Sequence, residues 1–248
     1  MQTKKYTIIA NWKMYLSYTQ ATTWLEQNAH ALQTVAQHLK SLVICPSFEA
    51  LTACALYMKD APLALGAQDC SSHEQGAFTG QVSARSLAQI GCHYSLVGHS
   101  ETYVQWDEAA REIREKITLL INNAITPIIC IGETQEDHQK KTTQQSIMKK
   151  LEFLAASFKH NDLFIAYEPQ WAIGSGTVPN TQELQPIITL IHNFGMQHNL
   201  RIQILYGGSV TASTVIPLKG ISYLDGFLLG KASTDFQELK KVVSLLNE

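Results

Sequence analysis

Residues 94–132 read YSLVGHSETYVQWDEAAREIREKITLLINNAITPIICIG. An apolar run, Tyr94–Gly98, comes first and is broken by the polar His99-Ser100-Glu101. A longer mixed stretch, Gln105–Ala124, follows, and a second apolar run, Pro127–Gly132, closes the segment. In the mixed stretch Ile113, Ile117, Leu120 and Ile121 recur at three- and four-residue spacing, which places them on one face of an α-helix. The flanking runs are nearly continuous in apolar residues instead of alternating, the pattern of strands buried on both faces. Strand, helix and strand in this order predict a parallel pair with a crossover helix.

The unit repeats along the chain. Further apolar runs are Tyr6–Ala10, Leu42–Cys45, Leu63–Gly66, Leu163–Tyr167, Ile202–Tyr206 and Tyr223–Leu229. Eight runs in 248 residues leave about 31 residues each, room for a strand, a helix and two loops. Helical spacing recurs at Ile147, Leu151 and Leu154, and again at Leu184, Ile187, Ile188 and Ile191. Eight such units predict an α/β fold, a (β/α)8 barrel of eight parallel strands surrounded by helices. An open doubly wound sheet is the alternative, but no GxGxxG follows the first run. No linker, low-complexity tract or long charge run interrupts the pattern, so residues 1–248 read as one domain.

Composition narrows the function classes. Apolar residues make up 45%, which excludes a disordered chain, and no apolar run approaches the roughly 18 residues of a membrane span. A net charge of −2 offers no electrostatic case for nucleic acid or an acidic membrane surface. Five cysteines with no CxxC pair argue against a disulfide framework or a thiolate zinc site. Free thiols suit a reducing compartment, and a cytoplasmic location is expected. The Met-Gln-Thr-Lys-Lys start leads into a strand and reads as no targeting peptide. The histidines stand at spacings that suggest no metal site.

In a barrel of this kind chemistry sits at the C-terminal ends of the strands. The residues there are Asn11-Trp12-Lys13 after the first run, His99-Ser100-Glu101 after the fourth, Glu168-Pro169 after the sixth, Gly207-Gly208-Ser209 after the seventh and Gly230-Lys231 after the eighth. A carboxylate, a histidine, a lysine and two glycine turns would share one rim. Taken singly, each has an ordinary reading: Glu168 and Lys13 as solvated charges, Asn11 as a turn former, His99 as a structural histidine, the glycines as β–α turns. The functional readings are a general base (Glu168), an electrophile kept neutral near a helix start (His99), oxyanion and anion holders (Lys13, Asn11) and a phosphate cradle of backbone N–H groups where the seventh and eighth helices open.

The words Asn11-Trp12-Lys13-Met14, Gly98-His99-Ser100-Glu101, Cys130-Ile131-Gly132-Glu133 and Tyr206-Gly207-Gly208-Ser209-Val210 resemble the triosephosphate isomerase family. So does Ala166-Tyr167-Glu168-Pro169-Gln170-Trp171-Ala172-Ile173-Gly174-Ser175-Gly176. The motifs run from residue 8 to about residue 233, and their order and spacing make the resemblance specific. It implies interconversion of dihydroxyacetone phosphate and D-glyceraldehyde 3-phosphate by proton transfer through an enediolate, without a cofactor or metal. It implies Glu168, His99, Lys13 and Asn11 as the catalytic group. It implies Asn11, Lys13, Gly174, Ser209, Gly230 and Lys231 as substrate-binding, and a lid of Pro169, Gln170, Trp171, Ala172, Ile173, Gly174, Ser175 and Gly176. Burial against apolar side chains, Ile173 and Leu228 among them, would raise the Glu168 pKa.

The resemblance also implies a homodimer through the loop Gln75–Gly80, with Phe78 as its apolar anchor and Thr79 beside the partner's active site. Three positions depart from the family pattern. Lys231 replaces a glycine, with backbone strain expected if a positive φ is required there. Gln81 and Thr102 replace a glutamate and an arginine that usually pair between subunits. Two rivals remain at this point: another phosphosugar barrel enzyme, and a protein that kept the fold without the chemistry. A Schiff-base aldolase would want a lysine within a central strand, whereas Lys13 and Lys231 lie at strand ends.

Overall fold

The structure, a computed structural model, describes residues 4–59, 61–102, 106–155, 162–172 and 179–248. Eight strands, β1 (Thr7–Asn11), β2 (Ser41–Cys45), β3 (Ala64–Ala67), β4 (Tyr94–Val97), β5 (Thr126–Ile131), β6 (Asp162–Tyr167), β7 (Arg201–Gly207) and β8 (Gly226–Leu229), close into a barrel in sequence order. Every neighbouring pair is parallel, including β1 with β8. The strands alternate with α1 (Tyr18–Gln37), α2 (Leu51–Met58), α3 (Ala84–Ile90), α4 (Trp106–Asn122), α5 (Gln135–Gln139), α6 (Thr143–Ala155), α7 (Thr181–Gln197), α8 (Val215–Leu218) and α9 (Phe236–Asn247).

Both faces of each strand are buried, which accounts for the continuous apolar runs. Along β1, Ile8 and Ala10 pack outward in the layer shared with the helices, while Ile9 points into the barrel. Inside, Ile9 meets Val43, Leu96, Ile128, Phe164, Leu205 and Leu228. Outside, the stripe on α4 behaves as its spacing predicts: Ile113, Ile117 and Leu120 are fully buried. Helix starts are set locally. Ser17 and Gln20 form a capping box at α1, Asn180 and Glu183 one at α7, and Asp235 caps α9. Each cap is worth about 1 kcal/mol.

The structure corrects several expectations. The last strand begins at Gly226, not Tyr223. Tyr223 has a left-handed φ of 66°, and its ring stacks on His192 at 3.9 Å, so it belongs to the turn that enters β8. After β4 the described residues 100–102 form a turn in which Thr102 N–H donates to the His99 carbonyl, and α4 starts at Trp106. No helix opens at Gly207-Gly208-Ser209. Residues 208–214 form a loop in which Thr214 Oγ1 accepts from Thr211 N–H at 2.9 Å and donates to the Ser209 carbonyl at 3.0 Å. Side-chain oxygens thereby take over backbone partners that a helix would have supplied. After β8, Gly230 leads into a 3-10 turn, Lys231–Thr234, before α9. Lys231 is not among the residues with positive φ, so the expected strain is absent.

Candidate active site

The C-terminal rim of the barrel holds a cavity of about 300 Å³ lined by Asn11, Lys13, His99, Glu168, Ser209, Gly230 and Lys231, with Tyr15, Gly208 and Leu228. Seven substrate-site residues expected from the sequence thus meet in one hollow. Pro169, Gln170, Trp171 and Ala172 follow β6, and residues 170–172 form a 3-10 turn. Ile173, Gly174, Ser175 and Gly176 lie outside the described residues.

Each side chain is placed by the end of its strand. Gly98, at φ 74°, turns the chain after β4 in a conformation open to glycine at no steric cost and presents His99 to the cavity. Glu168 follows β6; its N–H donates to the Ile131 carbonyl at 2.8 Å, prolonging the ladder by one residue. His99 and Glu168 are 5% and 6% exposed. Nε2 of His99 lies 3.5 Å from Oε1 of Glu168. Oε2 of Glu168 is buried with no hydrogen-bond partner among the described residues, so one carboxylate oxygen is open to a proton.

Lys13 is held in a strained geometry. Its φ is 48°, a left-handed conformation that costs a non-glycine residue roughly 1–2 kcal/mol. Two hydrogen bonds oppose that cost, each worth about 0.5–1.5 kcal/mol, and an exposed ion pair adds little. Lys13 N–H donates to Asn11 Oδ1 at 3.0 Å, the Gln68 amide donates to the Lys13 carbonyl at 2.8 Å, and Nζ reaches Glu101 Oε1 at 2.6 Å. Gln68 also donates to the Cys45 carbonyl at 3.0 Å, tying the first loop to β2.

Sequence reasoning missed Gln68, since a lone glutamine after a strand carries no signal. It also missed the anchoring role of Glu133. That buried carboxylate accepts from Tyr167 Oη at 2.9 Å and from Trp171 Nε1 at 2.7 Å. Its carbonyl accepts from Gln170 N–H at 3.1 Å. Residues on both sides of Glu168 are therefore tied to Glu133, two residues past the end of β5, and His138 stacks on Trp171 at 4.1 Å.

The electrostatics differ from the sequence expectation of a raised Glu168 and a neutral His99. Burial raises the Glu168 pKa, but His99, the Cys130 thiol and Lys13 all favour the carboxylate and bring it below its ordinary value. Burial lowers His99, and the Glu168 carboxylate, with Glu101, more than offsets that and brings it above its ordinary value. Facing each other in the empty cleft, the two groups favour one another's charge. A second contact works the other way. Glu101 N–H donates to His99 Nδ1 at 3.2 Å, a bond that requires Nδ1 without a proton and leaves the ring hydrogen on Nε2, facing Glu168.

Replacing Glu168 with glutamine removes the charge facing Nε2. The His99 titration midpoint, followed by nitrogen NMR, is expected to fall, because Glu168 acts to raise it. An unchanged midpoint would contradict the coupling.

Comparison with known proteins gives a consistent picture. The family model described as triosephosphate isomerase matches residues 6–246. A triosephosphate isomerase of Synechococcus sp. is 34% identical over 242 residues, covering 96% of this chain and 95% of that protein. One of Orientia tsutsugamushi is 35% identical over 245 residues, covering 95% and 96%. In fold, the chain matches the crystal structure of triosephosphate isomerase from Bartonella henselae with a TM-score of 0.84. That match covers 98% of this chain and 100% of the other at 24% identity.

Proposed function

This chain belongs to the triosephosphate isomerase family, and from that premise we propose that it interconverts dihydroxyacetone phosphate and D-glyceraldehyde 3-phosphate at the His99–Glu168 cavity. The observation that carries the assignment to this cavity is the open Glu168 oxygen beside an imidazole, 3.5 Å away, with the Lys13 cation lining the same hollow.

The Glu168 carboxylate removes a proton from the carbon next to the substrate carbonyl. The C–H electron pair becomes the carbon–carbon double bond of an enediolate, and the carbonyl electrons move onto oxygen. His99 donates its Nε2 hydrogen to that oxygen and moves protons between the two oxygens, while Lys13 and Asn11 stabilise the negative charge. Glu168 then returns its proton to the neighbouring carbon. Electrons and protons balance without a co-reactant. The substrate phosphate sits over the Ser209 loop and the Gly230-Lys231 turn, the lid closes over it to exclude water, and Gly174 lends it an N–H. A coupled assay of glyceraldehyde 3-phosphate turnover by the purified chain tests the assignment. Turnover is expected, and its absence from folded protein would refute it.

The partner is a second copy of this chain. Residues 73–81 are exposed throughout. Phe78 remains 37% exposed even though His73 stacks on it at 3.7 Å. Met14, Tyr15 and Phe48 add exposed apolar surface at 93%, 49% and 40%. Phe48 shares a hollow with Gly80, Gln81 and Thr102. Gln81 and Thr102 are both neutral, so at this pair of positions neither charge is left unpaired. Gln81 already accepts a hydrogen bond from Ser71 Oγ. Association should therefore rest on apolar packing and depend weakly on salt. Sedimentation and activity over a dilution series at low and high ionic strength check this. A fully active monomer at micromolar concentration would contradict the dimer and the role of Thr79.

The five cysteines are all free and buried, which suits a cytoplasmic setting. Among the described residues no helix is long and apolar enough to cross a membrane.

A further inference from the structure

Gly207 is the last residue of β7. A strand interior disfavours glycine, which has no side chain to pack and loses the most freedom on ordering. Its φ lies outside the left-handed region, so the backbone there would accept any residue. The space would not. A Cβ at Gly207 would lie 2.5 Å from Glu168 Cγ, 2.8 Å from Oε1 and 3.0 Å from the carboxyl carbon, its three nearest neighbours. On the other side, at the end of β5, a Cβ at Gly132 would lie 1.7 Å from the Glu168 carbonyl oxygen. The strands β5 and β7 flank β6. One glycine thus admits the Glu168 backbone and the other its side chain.

We propose that Gly207 is a positioning residue for proton transfer: the missing Cβ forms a slot against β7 that lets the Glu168 carboxylate lie facing His99 Nε2. The inference rests on the reading of Glu168 as the base. It is separable from a general need for glycine at this position, because the obstacle to a side chain is Glu168 itself.

The test is Gly207→Ala in two backgrounds, the parent and Glu168→Ala. In the parent, the added methyl group displaces the carboxylate by about an ångström. A shift of that size costs about 10²-fold in rate, so kcat is expected to fall by about that factor. KM should stay within a few-fold, because the groups holding the phosphate do not move. The melting temperature should fall in the parent and hold steady in the Glu168→Ala background, where the clash partner is gone. A Gly207→Ala chain that folds only together with Glu168→Ala supports the slot equally. An equal loss of stability, or failure to fold, in both backgrounds would place the obstacle elsewhere and overturn the inference. Parental kcat in Gly207→Ala beside an inactive Glu168→Gln would overturn the inference alone. Parental kcat in Glu168→Gln would overturn the base reading, and the inference with it.

Discussion

Glu168→Asp is expected to lower kcat at least about 10²-fold while leaving KM nearly unchanged. The substitution keeps the carboxylate but withdraws it by one methylene, and misplacement of about 1 Å costs a rate of that order. The surroundings cannot make up the difference. Glu168 is fixed through its N–H to the Ile131 carbonyl, and the flanking Tyr167 and Trp171 are tied to Glu133. The backbone is therefore not free to advance. Binding should persist because Lys13 and the backbone turns at Ser209 and Gly230 are untouched. Steady-state kinetics decide the point: parental kcat would remove Glu168 as the base, and a loss confined to KM would make it a binding residue instead.

Lys13→Met is expected to cost about 10²–10³-fold in kcat, the range seen when an oxyanion-stabilising group is removed, with a rise in KM from lost attraction for the phosphate. Methionine keeps most of the volume and meets the same left-handed backbone penalty at φ 48°. Glu101, the partner of Lys13 at 2.6 Å, has a side chain 53% exposed, so water can solvate the carboxylate left behind. The protein should therefore stay folded, and circular dichroism with kinetics separates the two effects. Unchanged kcat in folded Lys13→Met would show that the ammonium takes no part in the chemistry.

The barrel was legible because its strands are buried on both faces. Ile8 and Ile9 face opposite layers and both are apolar, so the run is unbroken and recurs eight times. The rim residues were legible once the barrel was assumed, since strand ends are where chemistry accumulates. What could not be read depended on contacts between loops distant in sequence. Gln68 matters because it reaches the Lys13 carbonyl across 55 positions, and no local pattern marks it. After β7 the sequence expectation of a helix at Gly207–Ser209 fails because Thr211 and Thr214 satisfy the backbone locally and postpone the helix to Val215, while after β8 a short 3-10 helix does open at Gly230-Lys231. The mutual charge preference of His99 and Glu168 needs a distance, and no spacing between residues 99 and 168 provides one. The sequence places Gly207 in a phosphate turn; that a Cβ there would meet the Glu168 side chain depends on the approach of β6 to β7, which no local pattern marks.

The most direct test of the account is isomerisation carried out in deuterium oxide. A proton removed by Glu168 rests on a carboxyl group, where it can exchange with solvent before it returns to carbon. Nuclear magnetic resonance of the product should therefore show glyceraldehyde 3-phosphate or dihydroxyacetone phosphate formed by the parent chain with solvent deuterium on carbon, and Glu168→Gln should abolish both turnover and labelling. Full turnover by Glu168→Gln, with or without deuterium on carbon, would contradict proton transfer through Glu168.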